Sequence, residues 1–298
     1  MPLAYLPSPA SGQWHLGPIP VHLYALCLVA GVVIAIALGE RRYTGMGGRR
    51  WLIWDIATVA VPAALLGGWL FRLVAGTQAG ALPYGGWLGA VRIWDGGVGL
   101  PGAAAGGLAA TWLWCRRDDL AIGPVLTAVL PGLALGLAAA VTGTWFTQSM
   151  YGPPSVMAWA VQISPYHRAA GFESVSYFQP IFLYQALVDV AVAGLLVYLI
   201  DRLALTGVRA LVLGVGLYAL GWLVAISFVL SGPAIGAGQV TAVGAVIAAG
   251  VYLVATRSDR GPESLRAARW FSRPLPEGGQ NRDDASPDGA PGGIRTHT

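Results

Sequence analysis

Few side chains in this sequence are of a type that moves protons or holds an anion. His22 and His167 could each act as a base near neutral pH. A solvated or hydrogen-bonded histidine is the simpler reading of both. Asp189 stands inside an apolar run, where an ionisable group is a functional candidate by default, though a hydrogen bond to a neighbouring helix would also satisfy it. Arg92 and Asp95 flank Trp94 ahead of Gly96 and Gly97. That spacing suits a turn held by an ion pair, or alternatively a lipid-headgroup site. Metal-ligand spacings, a phosphate loop and a dinucleotide fingerprint are all missing, so no metal or cofactor is expected.

The elements that carry these residues are set by composition. Of 298 residues, 55% are hydrophobic and 11% charged, against about a quarter charged in a soluble domain. Such a chain cannot cover a surface facing water. Its net charge of +4 comes from arginines clustered between apolar runs, which is the pattern of topology determinants and not of a nucleic-acid site. Stretches long enough to span a bilayer run from Val21 to Gly39, Trp51 to Ala75, Val98 to Cys115, Ala121 to Val141, Ile181 to Ile200, Ala210 to Leu230 and Val240 to Ala255. Arginines follow the first (Arg41, Arg42, Arg49, Arg50), third (Arg116, Arg117), fifth (Arg202, Arg209) and seventh (Arg257, Arg260). By the positive-inside rule those ends are cytoplasmic.

The expected fold is therefore an all-α integral membrane protein with seven transmembrane helices, its N-terminus outside and its C-terminus in the cytoplasm. Residues 1–257 form the membrane domain. A long external loop, Thr142 to Gln179, joins the fourth and fifth helices, and long ordered loops are often functional. No cleavable signal peptide is expected, because no positive charge precedes the first apolar run. Cys27 and Cys115 fall toward opposite faces of the bilayer, which argues against a disulfide. Gly67 with Gly68 and Gly106 with Gly107 should allow close helix packing. From Ser258 onward the composition predicts a disordered cytoplasmic tail. Its last residues, Gly293 to Thr298, can be encoded by the complement of a transfer-RNA T-arm, so His297 is not expected to be a ligand.

Several blocks occur together in a recognisable order: Ile93-Trp94-Asp95-Gly96-Gly97 with Gly102, then Pro131-Gly132-Leu133-Ala134-Leu135-Gly136, Tyr151-Gly152 with Pro154 and Trp159, and Pro180 with Leu183-Tyr184. Pro20-Val21-His22-Leu23-Tyr24 opens the first helix and Gly238-Gln239 the last. In order and spacing the chain resembles prolipoprotein diacylglyceryl transferase across most of the membrane region. The resemblance implies a protein of the bacterial cytoplasmic membrane. It also implies a reaction at the outer face, in which the diacylglyceryl group of phosphatidylglycerol moves to the lipobox cysteine of a prolipoprotein and glycerol phosphate leaves. Such chemistry needs a thiolate and support for a phosphate charge.

The family meets those needs with residues this sequence has replaced. Pro101 stands at the family histidine; Val141, Thr144, Thr147 and Ser149 at an arginine, two asparagines and a glutamate. Gln179 and Gln185 replace a histidine and a glutamate, and Trp222 and Ile226 an arginine and a glutamate of the sixth helix. The second-helix Gly-Gly-Arg reads Gly67-Gly68-Trp69, with an arginine only at Arg72, on roughly the same helix face. Arg72 could reach a lipid phosphate or simply snorkel to the headgroups. Tyr24 matches a cavity tyrosine but also suits an aromatic-belt anchor. No catalytic residue is assigned; Tyr24, Arg72, Arg92, Asp95 and Tyr151 are the candidate lipid-binding residues. Three functions follow: an active diacylglyceryl transferase with replaced groups, an inactive relative that binds phosphatidylglycerol or prolipoprotein, and an unrelated transporter. Losing a base and several charge-stabilising groups, at roughly 10² or more each, predicts lipid retention without transfer.

Overall fold

The computed structural model describes residues 5–9, 12–16, 19–78, 99–169, 171–227 and 237–256. All seven predicted apolar stretches fold as helices: α1 (Leu23–Gly45), α2 (Leu52–Gln78), α3 (Leu100–Arg117), α4 (Ile122–Thr142), α6 (Ile181–Leu203), α7 (Val208–Ser227) and α8 (Ala237–Ala255). A four-residue helix, α5 (Thr144–Thr147), follows α4 after Gly143. Among the described residues, five helical segments are long and apolar enough to cross a membrane: Leu23–Gly45, Leu52–Val74, Ile122–Thr147, Ile181–Leu203 and Val208–Ser227. Gln239–Ala255 is apolar but shorter. Helix α3 ends in Arg116 and Arg117 and carries three glycines and a proline, which lowers its mean hydropathy.

The fold is mostly helical, as an all-α membrane protein should be, and two short strand pairs lie outside the long helices. A hairpin of β1 (Gln13–Leu16) and β2 (Ile19–His22) precedes α1, with Gln13 paired to His22. Pro20, Val21 and His22 therefore belong to a strand, and the helix begins at Leu23, because His22 keeps an extended backbone (φ −81°, ψ 118°). Two further strands, β3 (Val161–Gln162) and β4 (Tyr177–Phe178), pair inside the long loop.

Glycine decides how the helices meet. Any Cβ at Gly31 of α1 would collide with the Gly136 carbonyl of α4, and one at Gly132 would lie 2.6 Å from the Ala35 carbonyl oxygen. On the neighbouring pair, Gly67 and Gly102 block each other's Cβ in the same way, and Gly106 meets the Ala63 carbonyl. The small residues bring α2 onto α3 at backbone contact, as the glycine pairs at 67 and 106 predicted, and α1 onto α4 in the same way through glycines the sequence reading did not single out for packing. Pro62 and Pro131 sit inside α2 and α4, as apolar membrane helices tolerate.

The arginine-bearing ends gather at one end of the bundle. Glu40 at the end of α1 accepts the backbone N–H groups of Trp51 (2.5 Å) and Ile53 (3.1 Å), satisfying free donors where α2 starts. Tyr43, Leu52, Ile53, Cys115 and Val125 make one apolar cluster from the ends of α1, α2, α3 and α4. Arg42 bridges to Asp201 at the end of α6 at 2.8 Å. Arg209 donates to the Thr256 carbonyl, and the Gly207 N–H to Thr127, closing α8, α7 and α4 onto the same end. Cys115 lies in that cluster, whereas Cys27 packs beside Gly143 at the opposite end, where the long loop emerges.

Candidate functional site

At the loop end, residues of the matched blocks come into contact. Tyr24, in the first turn of α1, occupies space beside Gly143: a Cβ there would lie 2.8 Å from the Cys27 Cβ and 3.1 Å from the Tyr24 ring. Only glycine lets α4 bend into α5 against that tyrosine. Gly152 N–H donates to the Gln179 carbonyl (2.9 Å) and Gln179 N–H to the Pro153 carbonyl (3.0 Å), which ties Tyr151-Gly152 to the Gln179-Pro180 start of α6. Trp159 donates its indole N–H to the Tyr184 hydroxyl at 2.9 Å.

The loop is a folded cap with its own core of Val161, Ile163, Phe178 and Phe182, against which Trp145, Met150 and Tyr151 pack. The N-terminal segment joins it through a single parallel bridge at Leu6. Leu6 pairs with β3 through Leu6 N–H to the Ala160 carbonyl and Gln162 N–H to the Leu6 carbonyl, both 3.0 Å, and the Tyr5 ring stacks on Tyr177 at 3.9 Å. Arg168 stitches the cap's far side, donating to the carbonyls of Ile163 (3.0 Å) and Glu173 (2.6 Å) and to Ser176 Oγ (3.2 Å).

Within the cap, from the end of α5 onward, lies an open cavity of about 570 Å³, lined by Thr147, Ser149, Tyr151, His167, Phe172 and Phe178 among others. Tyr151 tilts its ring against Phe178 at 4.9 Å and donates its hydroxyl to the His167 carbonyl. Thr147 and Ser149 hydroxyls bond each other at 2.8 Å. Thr144 turns its hydroxyl back to the Val141 carbonyl (2.7 Å). Thr144, Thr147 and Ser149, at the family's two asparagines and glutamate, are thus neutral and engaged with each other or the backbone. Within α6, Gln185 donates to Asp189 Oδ1 at 2.8 Å, and both are buried, 3% and 1% exposed. The hydrogen bond of Asp189 is within its own helix, not to a neighbouring one.

The candidate residues from the sequence divide into three groups. Tyr24 and Tyr151 stand at the loop end, against Gly143 and in the cavity wall. Arg72 is exposed on α2, its Cγ 3.4 Å from where a Cβ of Gly99 would lie, beside the start of α3 and Pro101. Arg92 and Asp95, with the Trp94 turn, lie outside the described residues, as does the C-terminal tail. His22 bonds Gln13 at 2.8 Å, and His167 bonds Ser164 at 2.8 Å. Sequence reasoning missed Gln148 and Ser164. Gln148 lies between two matched positions, and Ser164 precedes Pro165, a turn signal; neither pattern names the other as its partner.

Residues 12–255 match the family model for prolipoprotein diacylglyceryl transferase. The phosphatidylglycerol–prolipoprotein diacylglyceryl transferase 2 of Streptomyces coelicolor is 38% identical over 221 residues, covering 74% of this chain and 70% of that protein. The corresponding transferase of Mycobacteroides abscessus is 36% identical over 232 residues, 74% and 68% of the two chains. That of Mycolicibacterium paratuberculosis is 38% identical over 232 residues, and there the match spans only 54% of the relative's length. With matched blocks tied to one another at the loop end and the family model covering every described helix, this chain belongs to the prolipoprotein diacylglyceryl transferase family.

Proposed function

We propose that this protein acts in lipoprotein diacylglyceryl transfer, seating phosphatidylglycerol and the lipobox of a prolipoprotein at the outer face of a bacterial cytoplasmic membrane. The diacylglyceryl group passes to the cysteine thiol and glycerol phosphate leaves. The membrane domain spans seven times, N-terminus outside, so that the Thr142–Gln179 cap faces outward; the shared arginine-bearing end supports this orientation. One observation carries the reading: the family blocks Tyr151-Gly152, Trp159 and Pro180 to Tyr184 are tied together at the loop end, where Tyr24 also lies, and Tyr151, Gly152 and Pro154 line an open cavity there. Tyr24 and Tyr151 present the lipid-facing aromatic wall, and Arg72, with Arg92 and Asp95 nearby in sequence, supplies the headgroup contacts.

A second reading, a binder that does not transfer, is favoured by the neutral, internally bonded side chains at Thr144, Thr147 and Ser149. The purified protein in phosphatidylglycerol bilayers, mixed with a lipobox peptide, separates the two. Transfer is expected to add the diacylglyceryl mass to the peptide and to release glycerol phosphate. Phosphatidylglycerol retained through detergent extraction without peptide modification would establish the binder. Failure to hold either lipid or peptide would overturn both.

A further inference from the structure

The cap carries an apolar run that its own core does not use. Val156, Met157, Ala158 and Trp159 are exposed in succession, Val156 at 86% and Trp159 at 50%, although the next residue, Ala160, is buried. Exposed apolar runs of this length are avoided on a surface facing water unless something covers them. The run is not loose chain. Ser155 N–H donates to the Tyr177 carbonyl at 3.0 Å, Met157 N–H to Ser155 Oγ at 3.2 Å, and Ala160 N–H to the Met157 carbonyl at 3.0 Å. Those bonds hold a turn on β4. Charge is missing too: from Thr142 to Tyr166 the sequence contains no Asp, Glu, Lys or Arg, and the cap's charged residues begin at Arg168.

One hydrogen bond fixes what lies beside the run. Trp159 Nε1 donates to the Tyr184 hydroxyl at 2.9 Å, and Tyr184 stands in the first turn of α6, a helix long and apolar enough to cross a membrane. Steps of three and four residues from Tyr184 reach Leu187, Ala191, Gly194 and Tyr198, and all four are exposed. On a spanning helix such a stripe faces acyl chains. Tyr198 is about 21 Å farther along the axis at 1.5 Å per residue, so the stripe has a tyrosine toward each end, as aromatic belts do. A tyrosine side chain leans back toward its helix N-terminus, which sets the Trp159 indole at the level where α6 meets the headgroups. Its apolar body and single N–H suit that level. We propose that Val156 to Trp159 is a membrane-interface anchor, seated at the headgroup–acyl boundary of the leaflet on the cap's side as a continuation of the lipid-facing stripe of α6. Lipid is the occupant because the run joins, through Trp159 and Tyr184, a stripe that lipid already covers. Gly152, Pro153 and Pro154 line the open cavity and lead into the anchor within a few residues, so its seat holds the cavity near headgroup depth.

A polarity-sensitive fluorophore attached at Met157→Cys, in the full chain held in phosphatidylglycerol–phosphatidylcholine nanodiscs, tests the proposal. The unsubstituted chain, labelled in parallel, subtracts any signal from Cys27 and Cys115. Glu173→Cys, in the exposed charged turn of the same cap, supplies the reference for water. The Met157 probe is expected to emit to the blue of the Glu173 probe and to lose most of its fluorescence to phospholipids bearing a nitroxide just below the headgroup. A nitroxide at the acyl end should quench it less, since an interfacial segment enters by only about 5–10 Å. Adding Trp159→Ala should shift the emission to the red and exchange lipid quenching for quenching by iodide in the water. Iodide quenching of the Met157 probe equal to that of the Glu173 probe, as a face kept for a soluble partner would give, overturns the anchor. Shielding from both quenchers that disappears at one chain per nanodisc would assign the face to a second copy and overturn it equally. Trp159→Ala without effect would overturn the part given to the indole. The probe does not measure diacylglyceryl transfer, so none of these failures touches the proposed function.

Discussion

Arg168 makes its three donations from one planar guanidinium, to Ile163, Glu173 and Ser176. Lysine offers no such fork. Arg168→Lys is expected to loosen the cap by about 1–3 kcal/mol, seen as faster proteolytic nicking between Ala169 and Val175 with little change in the bundle's melting temperature. Glu173 sits exposed in the same turn, and the Gly171 N–H at 3.0 Å holds its carboxyl below the usual carboxylate range. Because its folded pKa is the lower one, its contribution is present above the ordinary carboxylate range and is lost as pH falls through the lowered value. Hydrogen exchange at the Gly171 amide should therefore show extra acceleration under acid, which Glu173→Gln abolishes. Restoring one family residue is a different matter. Val141→Arg alone is expected to add no transfer activity, because groups that act as a catalytic unit are far from additive.

Among the elements, α1 and α4 depend most on having nothing at particular Cβ positions. Gly132→Val would set side-chain atoms against the Ala35 carbonyl, 2.6 Å from the built Cβ. An overpacked contact of this kind costs about 1–3 kcal/mol, read as a lower thermal midpoint in detergent. Gly194 of α6 is the control: nothing lies within 4 Å of its built Cβ. Gly194→Ala should be neutral or stabilising by up to about 1 kcal/mol, since alanine is the better helix former. A drop of similar size in both variants would mean that helix association does not rest on the glycine contact.

For the whole molecule, the arrangement makes a prediction about sidedness. Alkaline phosphatase fused after α8 should be inactive, and fused within Thr142–Gln179 active, because the ties of Arg42 to Asp201 and Arg209 to Thr256 put the arginine-bearing ends together, away from the cap. The reverse pattern would invert the bundle. The Arg42–Asp201 pair itself has one partly exposed and one largely exposed partner, so Arg42→Ala should cost no more than about 1 kcal/mol. The expected orientation rests on the number of arginines at that end and not on this one pair.

Much of this architecture is legible in one dimension. A bilayer needs about 20 apolar residues per helix, and arginine resists crossing it, so the places of the helices and their alternation follow from composition and spacing alone. The family blocks could also be read directly, since Tyr151-Gly152 or Leu183-Tyr184 are local patterns. What only the tertiary structure decided is partnership across distance. The β1–β2 hairpin displaced the expected start of α1 by pairing Gln13 with His22, and the Leu6 bridge joined β3 from more than 150 residues away in sequence. His167 read as an ordinary loop histidine. It hydrogen-bonds Ser164, which donates in turn to the buried Gln148, and hydrogen bonds between side chains so placed leave no periodicity or spacing for a sequence to display.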